Sequence, residues 1–316
     1  MLRTKNELMI RKVIGSLLPK KLKLWVGHLS CRLFAWSVGY DPKKCMGHFY
    51  KSVFHQPMDW EDPKNLIEKI NWLQLNTDTS LWTLCADKYR VREYVKSKGC
   101  EACLNELYGM WEDADSVDFD SLPNQFVLKA NHGCGEVLLV KDKSLLDIKK
   151  TRKLMRKWLN DRFGNTNGQT HYTRIKPCII AEKLLFNSSE PKSSLVDYKL
   201  WCFHGKPEFF LVAFNRGKNN HYNLSAFDLN WNNISNIILS TKNVHYCGSD
   251  FPKPASFDEM IRIAKCLSSG FPEVRVDFYD VDGHAVLGEL TFTTGFGSYN
   301  KNAYLSLGSK INLTQI

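Results

Sequence analysis

Val274-Arg-Val-Asp-Phe-Tyr-Asp-Val-Asp-Gly-His-Ala-Val-Leu-Gly-Glu-Leu-Thr-Phe-Thr-Thr-Gly-Phe-Gly297 decides how the rest of the chain is read. Val274, Val276 and Phe278, and after them Ala285 and Leu287, alternate with polar neighbours at the period of a strand, and Asp282-Gly283 between the two runs is a tight hairpin signal. Strand side chains alternate between faces, so Arg275, Asp277 and Tyr279 share one face of the first strand and Glu289 and Thr291 share a face of the second. If those faces coincide, Asp277 and Glu289 lie across the hairpin from each other. Two carboxylates held close repel unless a cation or a proton sits between them, and hard oxygen ligands suit Mg²⁺ completed by phosphate oxygens. The hairpin is therefore a candidate Mg-nucleotide site. An exposed hairpin with an ordinary polar face is the competing reading.

The chain has 316 residues, more than one core usually holds, so two or more domains or subdomains are expected. A hydrophobic content of 43%, nine Trp and no long polar or Pro/Gly-rich run point to a folded protein. Ten cysteines lie without a regular framework and no signal-peptide pattern opens the chain, so a reducing cytoplasm is the expected location. Cys100-Glu-Ala-Cys103 has no second pair at zinc spacing, which favours two structural thiols over a metal or redox site. The net charge of +10 asks for an anionic partner. No zinc-finger spacing, aromatic RNP-type strand or basic helix-turn-helix is present, so nucleic acid is not the expected partner. Eleven of the cations fall in residues 1–51. There Leu8, Met9, Val13, Ile14, Leu17 and Leu18 recur at helical spacing before Pro19. A second run from Leu22 to Tyr40 is too polar to span a membrane; it suits either an interfacial contact with an anionic membrane at its inner face or a helical pair packed on the main domain.

Further along, Asp59 to Pro63 predicts a helix start, with Leu66, Ile67, Ile70, Trp72 and Leu73 on its buried face. A helix is expected over Ala86–Lys98, closed by Gly99. Gln125 to Ala130 predicts a strand ending near Lys129. Asn131-His-Gly-Cys-Gly-Glu then turns into the apolar run Val137–Val140, a strand, glycine loop, strand pattern. Glycines let backbone N–H groups approach an anion, and Lys129 would add charge beside them, although hairpin loops with two glycines are common and no Walker A sequence is present. A basic amphipathic helix is expected over Leu145–Phe163 and a strand over Cys178–Leu185. Two strands, Tyr198–Phe203 and Glu208–Phe214, follow with a turn at His204–Pro207. Phe257–Leu267 predicts a helix capped by Ser256 with Glu259 three residues on and ended by Gly270.

Taken in order, Ile70-Asn-Trp-Leu, Ala86-Asp-Lys-Tyr-Arg-Val-Arg-Glu-Tyr-Val, Phe126-Val-Leu-Lys-Ala-Asn-His-Gly, Asp197-Tyr-Lys, Cys202-Phe-His-Gly-Lys-Pro, Phe271-Pro-Glu-Val-Arg-Val-Asp-Phe-Tyr and Gly288-Glu-Leu-Thr-Phe-Thr make the chain resemble an ATP-grasp protein of the TupA-like branch, named for teichuronopeptide biosynthesis, over about residues 50–300. The resemblance implies an α+β fold in which two α+β subdomains enclose ATP, preceded by the basic helical segment. The divisions expected are 1–58 for that segment, 59–120 for a helical region, 121–185 for the lid subdomain and 186–316 for the C-terminal subdomain with the metal site. It implies that Lys129 contacts phosphates, that Gly133, Cys134 and Gly135 fold over them, and that Glu182, Lys183 and Leu184 form the hinge facing adenine. Asp197 would meet the ribose, and Lys199 and Arg216 are further candidates for phosphate contact. Asp277 and Glu289 would hold Mg²⁺, with Thr291 as a third ligand where the family usually has Asn, and Arg275 would lie near the transferred phosphoryl group. The TupA-like branch generally continues Thr-Phe-x-Pro-Gly, whereas this chain has Thr294 in place of Pro.

The activity implied is an ATP- and Mg-dependent carboxylate-amine ligase working through an acyl phosphate. Its substrates would be an acidic saccharide or lipid-linked saccharide of a surface polysaccharide and an amine or amino acid. Alternatives are a glycosyltransferase, since Asp280-Val-Asp282 is formally a DxD, a sugar kinase, or a nucleotide- or saccharide-binding protein without catalysis. Cys134 reads as a small loop residue, not a nucleophile, because the chemistry needs no covalent enzyme intermediate.

Overall fold

The computed structural model describes residues 31–188, 195–216, 222–239, 244–246, 251–295 and 297–315. The amphipathic run Leu8 to Leu18 and the ring of Trp25 lie outside the described residues. The second run is helical over 31–37, where Phe34 stacks on His48 at 3.9 Å while Trp36 is 71% exposed. No helix among the described residues is long and apolar enough to cross a membrane.

After the helical stretch over 31–37 come α1 (Pro42–Phe54), α2 (Leu66–Asn76), α3 (Ser80–Ala86) and α4 (Val91–Ser97). Helix α2 starts at Leu66 and not at Pro63. Asn65 caps it: Oδ1 accepts from the N–H groups of Ile67 and Glu68, and Glu68 Oε2 returns a bond to the Asn65 N–H. That reciprocal cap satisfies three backbone donors, which a proline at the first position cannot do. The single helix expected over Ala86–Lys98 is broken at Asp87, whose carboxylate accepts from the N–H groups of Tyr89 and Arg90 and holds a turn between α3 and α4. Cys100 and Cys103 beyond it are buried free thiols; burial pushes Cys103 up to about 12 and Cys100 to about 11.

The strands form two sheets, in keeping with the α+β architecture expected. Strands β1 (Leu107–Trp111), β2 (Phe126–Ala130), β3 (Val137–Val140) and β4 (Ile179–Glu182) make an antiparallel sheet of order β1-β4-β2-β3. Helix α5 (Ile148–Leu159), shorter than the basic stretch that predicted it because Asp147 caps it, lays Met155 and Trp158 on Phe126, Leu128, Ile179 and Ala181 to form a core of its own. The short α6 (Thr170–Thr173) lies between α5 and β4 in the chain.

The second sheet contains β5 (Asp197–Phe203), β6 (Lys206–Phe214), β7 (Tyr222–Asp228), β8 (Val244–Tyr246), β9 (Glu273–Val281) and β10 (His284–Thr291) in the order β10-β9-β5-β6-β7-β8, with only β7 and β8 parallel. The β5–β6 turn is tighter than expected: His204 and Gly205 take positive φ, and Lys206 and Pro207 already belong to the strand. Helix α7 (Phe257–Leu267) covers one face, where Phe257 meets Phe210 at 5.4 Å and Val274, Val276 and Phe278 are buried. Ser256 does not cap α7. Its N–H and hydroxyl both donate to Asp280 Oδ2, and Glu259 accepts from the Ala285 N–H, so the helix start is tied to the hairpin. Helix α8 (Lys301–Ser309) closes the chain against α2.

Candidate active site

Counted from the turn, where Asp282 and Gly283 have φ of 50° and 85°, β9 and β10 pair regularly as far as Phe278 opposite Leu287. The register then slips, and Glu289 lies opposite Asp277 and Thr291 opposite Arg275. Gly288 is the extra residue of this bulge. A Cβ there would lie 3.2 Å from the Asp277 carbonyl oxygen and 3.3 Å from the Tyr279 ring. In an unbroken register Gly288 would face Asp277 and Glu289 would turn to the opposite side of the sheet, because one residue of slip exchanges faces. The bulge thus brings the second carboxylate onto the face of the first. On the other side of β9, Lys199 pairs with Asp277 and Asp197 with Tyr279, which adds two more charges to that face.

Asp277 is 4% exposed. Arg275 donates to it through Nε and Nη2, each at 2.7 Å, and Lys199 Nζ donates at 2.6 Å. Burial alone would raise its pKa; Arg275 and then Lys199 outweigh burial and hold the carboxyl below its usual value. The Arg275 fork continues to the hydroxyls of Thr291 and Thr294, both at 3.2 Å. Thr291 in turn donates to Glu289 Oε1 at 3.2 Å. Lys88 Nζ stands 3.9 Å from Glu289 Oε2 and donates to the Gly133 carbonyl at 2.6 Å. Arg216 donates to Asp197, which also has Lys199 at 3.8 Å. A separate cluster ties the smaller sheet to α4: Glu182, buried at the end of β4, accepts from Lys129 at 2.7 Å and Arg92 at 2.6 Å, and Lys129 leads in keeping its pKa low against the cost of burial.

These groups border a cavity of about 710 Å³ between the sheets. Its floor is polar and comes from the larger sheet, with Asp197, Lys199, Asp277 and Glu289. Its other wall is apolar: Val137 and Leu139 on β3 and Leu184, Leu185 and Phe186 after β4. Lys129, Cys134, Gly135 and Arg216 complete the rim. A cavity with apolar side chains on one wall and cations on the floor suits a ligand with a flat apolar end and an anionic end.

Several candidates lie elsewhere than in the lining. Arg275 and Thr291 sit behind Asp277 and Glu289 and act on the cavity through them. Glu182 is beneath it, neutralised by two cations. Lys183 points outward towards Glu106 at 3.9 Å; its N–H donates to the Glu106 carbonyl and its carbonyl accepts from Asn105, so only Leu184 of the expected hinge borders the cavity. Gly133 carries no cavity surface. Its missing Cβ leaves room for the Glu136 carboxylate, and its carbonyl takes the Lys88 ammonium. Lys88 and Arg92 were not singled out from sequence. Both lie in Ala86 to Val95, Lys88 in the turn between α3 and α4 and Arg92 on α4, but nothing in their spacing says that they reach Glu289 and Glu182.

The two carboxylates keep lone pairs free for a divalent cation. Asp277 Oδ1 accepts one bond, Glu289 Oε1 accepts one, and Glu289 Oε2 has only the distant Lys88. No group of three His, Cys, Asp or Glu residues suited to a metal occurs among the described residues. Two adjacent carboxylates with spare lone pairs fit an ion that brings most of its oxygen ligands with it, as Mg²⁺ does on a phosphate. The Thr291 hydroxyl is already used between Arg275 and Glu289, so it braces the carboxylate. Cys134 borders the cavity with its pKa raised, first by desolvation and then by Glu289, the opposite of an activated thiolate. Asp280 and Asp282 are occupied too, Asp280 by Ser256 and the Gly283 N–H and Asp282 by Ser188.

A sequence model of the TupA-like ATP-grasp family matches residues 68–312. Curated protein sequences gave no match. Among solved structures the chain is similar to D-alanine–D-alanine ligase from Bacillus anthracis complexed with ATP, with 14% identity over 72% of this chain and 65% of that one and a TM-score of 0.42. It is also similar to the ATP-grasp ligase PsnB complexed with minimal precursor, Mg and ADP, with 12% identity, 73% and 58% coverage and a TM-score of 0.37. D-alanine–D-alanine ligase from Helicobacter pylori shows 15% identity, 72% and 61% coverage and a TM-score of 0.38. The chain spans 58 to 65% of the length of these structures.

Proposed function

Because the chain belongs to the TupA-like ATP-grasp family, we propose that it is an ATP-dependent carboxylate-amine ligase acting on a uronic-acid-containing saccharide. The observation that carries this reading is the cross-strand placement of Asp277 and Glu289 under a cavity with an apolar far wall. Adenine lies against Val137, Leu139 and Leu184, the ribose hydroxyls meet Asp197, and the phosphates run towards Lys199 and the Lys129 side of the rim. Mg²⁺, held by Glu289 and Asp277, would neutralise charge on the phosphoryl oxygens.

The chain's own groups do the rest by position and charge. Arg275, fixed by Asp277, Thr291 and Thr294 behind the carboxylates, holds Asp277 in place, and Lys199 on the cavity floor presents a preorganised cation where charge gathers on the transferred phosphoryl group. A substrate carboxylate oxygen attacks the γ-phosphorus and the bond to ADP breaks, giving an acyl phosphate. The amine then attacks the acyl carbon, phosphate leaves, and the nitrogen loses its proton to form the amide. Lys88, on the Gly133 carbonyl, holds the glycine loop over the reacting end and limits access of water.

Incubation with ATP, Mg²⁺, uronic-acid saccharides and a panel of amines should yield ADP, phosphate and an amide of the corresponding mass. A stable phosphate ester instead of an amide identifies a sugar kinase; nucleotide binding with no turnover on any acceptor identifies a binding protein. The glycosyltransferase alternative is disfavoured by one observation: both carboxylates of Asp280-Val-Asp282 are spent on holding the hairpin tip.

A further inference from the structure

The helical stretch over 31–37 takes no part in the cavity between the sheets. Trp36 is the one exposed tryptophan among the described residues, at 71%, and Leu33, one turn earlier, is 57% exposed. At about 100° per residue, Arg32, Leu33 and Trp36 share one side of the helix, and all three are exposed. On the opposite side Ala35 is buried and Phe34 stacks on His48 of α1 at 3.9 Å. Tyr40, in the turn that follows, adds a further exposed ring. The Phe34–His48 contact also fixes what stands beside this strip. Lys44 and Lys51 lie one helical turn before and after His48 on α1, so they flank the place where the stretch docks, and both are exposed. No ion pair among the described residues engages Arg32, Lys44 or Lys51. Asp41 is the only acidic residue between 31 and 58, and its carboxylate is taken up in capping α1, accepting from the Lys44 N–H at 2.8 Å.

An apolar strip edged by unpaired cations asks for a partner that supplies apolar depth and negative charge together. A second copy of the chain would set like charges against each other. Residues 1–30 hold seven Lys or Arg against Glu7 alone, so the preceding chain brings the same sign. Single-stranded nucleic acid would use the cations, but it draws much of its affinity from successive rings on which bases stack, and Leu33 offers no ring. The surface of an anionic bilayer supplies both parts: charged headgroups for the cations, and beneath them the boundary with the acyl chains, where tryptophan rings and aliphatic side chains settle.

We propose that this face is a docking surface for an anionic lipid bilayer, with Leu33 and Trp36 entering the boundary between headgroups and acyl chains and Arg32, Lys44 and Lys51 resting against the headgroups. The inference is independent of the reaction. Co-sedimentation of the full chain with vesicles of phosphatidylcholine containing one-third phosphatidylserine, and with phosphatidylcholine alone, tests it at low and high salt. The chain should pellet with the anionic vesicles at low salt, come off at high salt because surface charges are then screened, and stay in solution with phosphatidylcholine alone. Trp36→Ser should weaken partitioning about tenfold, the scale of losing the burial of one large apolar side chain. Lys44→Gln combined with Lys51→Gln should weaken it about twentyfold, at about fivefold for each cation near an anionic surface. All three positions are exposed, so unfolding midpoints should match the parent's. The two variants remove different halves of the contact, so either one decides the matter if the other fails to fold. Absent pelleting at low salt, equal pelleting with phosphatidylcholine alone, or partitioning indifferent to either variant would overturn the assignment. So would an oligouridylate bound more tightly than the vesicles and lost on Trp36→Ser, or a self-associated chain that Trp36→Ser converts to monomers in sedimentation equilibrium.

Discussion

Asp277 and Glu289 face each other across two strands, yet they are held differently. Glu289 leaves 37% of its side chain exposed and takes one hydroxyl and two more distant cations, Arg275 at 3.8 Å and Lys88 at 3.9 Å, whereas Asp277 is the shared anion of two nearly buried cations. Glu289→Gln should therefore abolish ADP formation with little change in stability. Asp277→Asn should abolish it too and also cost about 3 kcal/mol, because Arg275 and Lys199 lose their nearest counter-charge and keep only Glu289 and Asp197, each at 3.8 Å. Urea unfolding of the two variants checks this; equal midpoints would refute the difference. Lys129 makes a milder case. Lys129→Ala should weaken ATP by about 1–3 kcal/mol, as for a charge-assisted phosphate contact, and an unchanged affinity in a nucleotide titration would leave Lys129 only its bond to Glu182.

Gly288 acts at the scale of the hairpin. A methyl at this position presses on the Asp277 carbonyl and the Tyr279 ring, so either the bulge opens or the strands move apart. Gly288→Ala should cost about 1–3 kcal/mol, the scale of overpacking, and should lower turnover far more than nucleotide affinity, since Glu289 swings while the apolar wall stays in place. Equal losses in the two assays would argue against it. This element was half legible in the sequence. The hairpin and its Asp-Gly turn could be read from alternation, but the buried positions on β10 run Ala285, Leu287 and then Leu290, Phe292. That step of three is the trace of the bulge, and alternation within each strand passes over it because a single break resembles the end of a run. The helix starts fared similarly: Asn65 and Asp87 decide their local structure through side-chain bonds that compete with propensity.

At the scale of the molecule, α6 packs against α3 and the residue that follows β10. His171 is 0% exposed, among the rings of Trp82, Tyr172 and Phe292, with Arg174 nearby and neither ring nitrogen bonded. Burial, and then Arg174, lowers its pKa from 6.5 to about 3. Below pH 6.5 the unfolded chain therefore binds a proton that the folded chain does not, and stability falls as pH drops from 6.5 towards 3; above 6.5 the effect is absent. At pH 5 it amounts to about 2 kcal/mol. His171→Leu should remove that part of the stability difference between pH 7 and pH 5, measured by denaturant unfolding at both. An unchanged difference would show that His171 finds a partner when protonated.

The sequence by itself determined strands β2 to β6, β9 and β10, the hairpin turn, the presence of α2, α4, α5 and α7 and the family resemblance, because these depend on periodicity, turn residues and the order of motifs along the chain; β1, β7, β8, α1, α3, α6 and α8 were not read from it. It also singled out Lys199, Asp277 and Glu289 as candidates. Only the tertiary structure decided how those charges are shared. Lys88 and Arg92 reach from the helical region to Glu289 and Glu182, 201 and 90 residues away. Lys183 turns outward, and Arg275 and Thr291 stand behind the carboxylates. A charge is neutralised by whatever lies within a few ångströms when two sheets close on each other, and local pattern has no access to that distance.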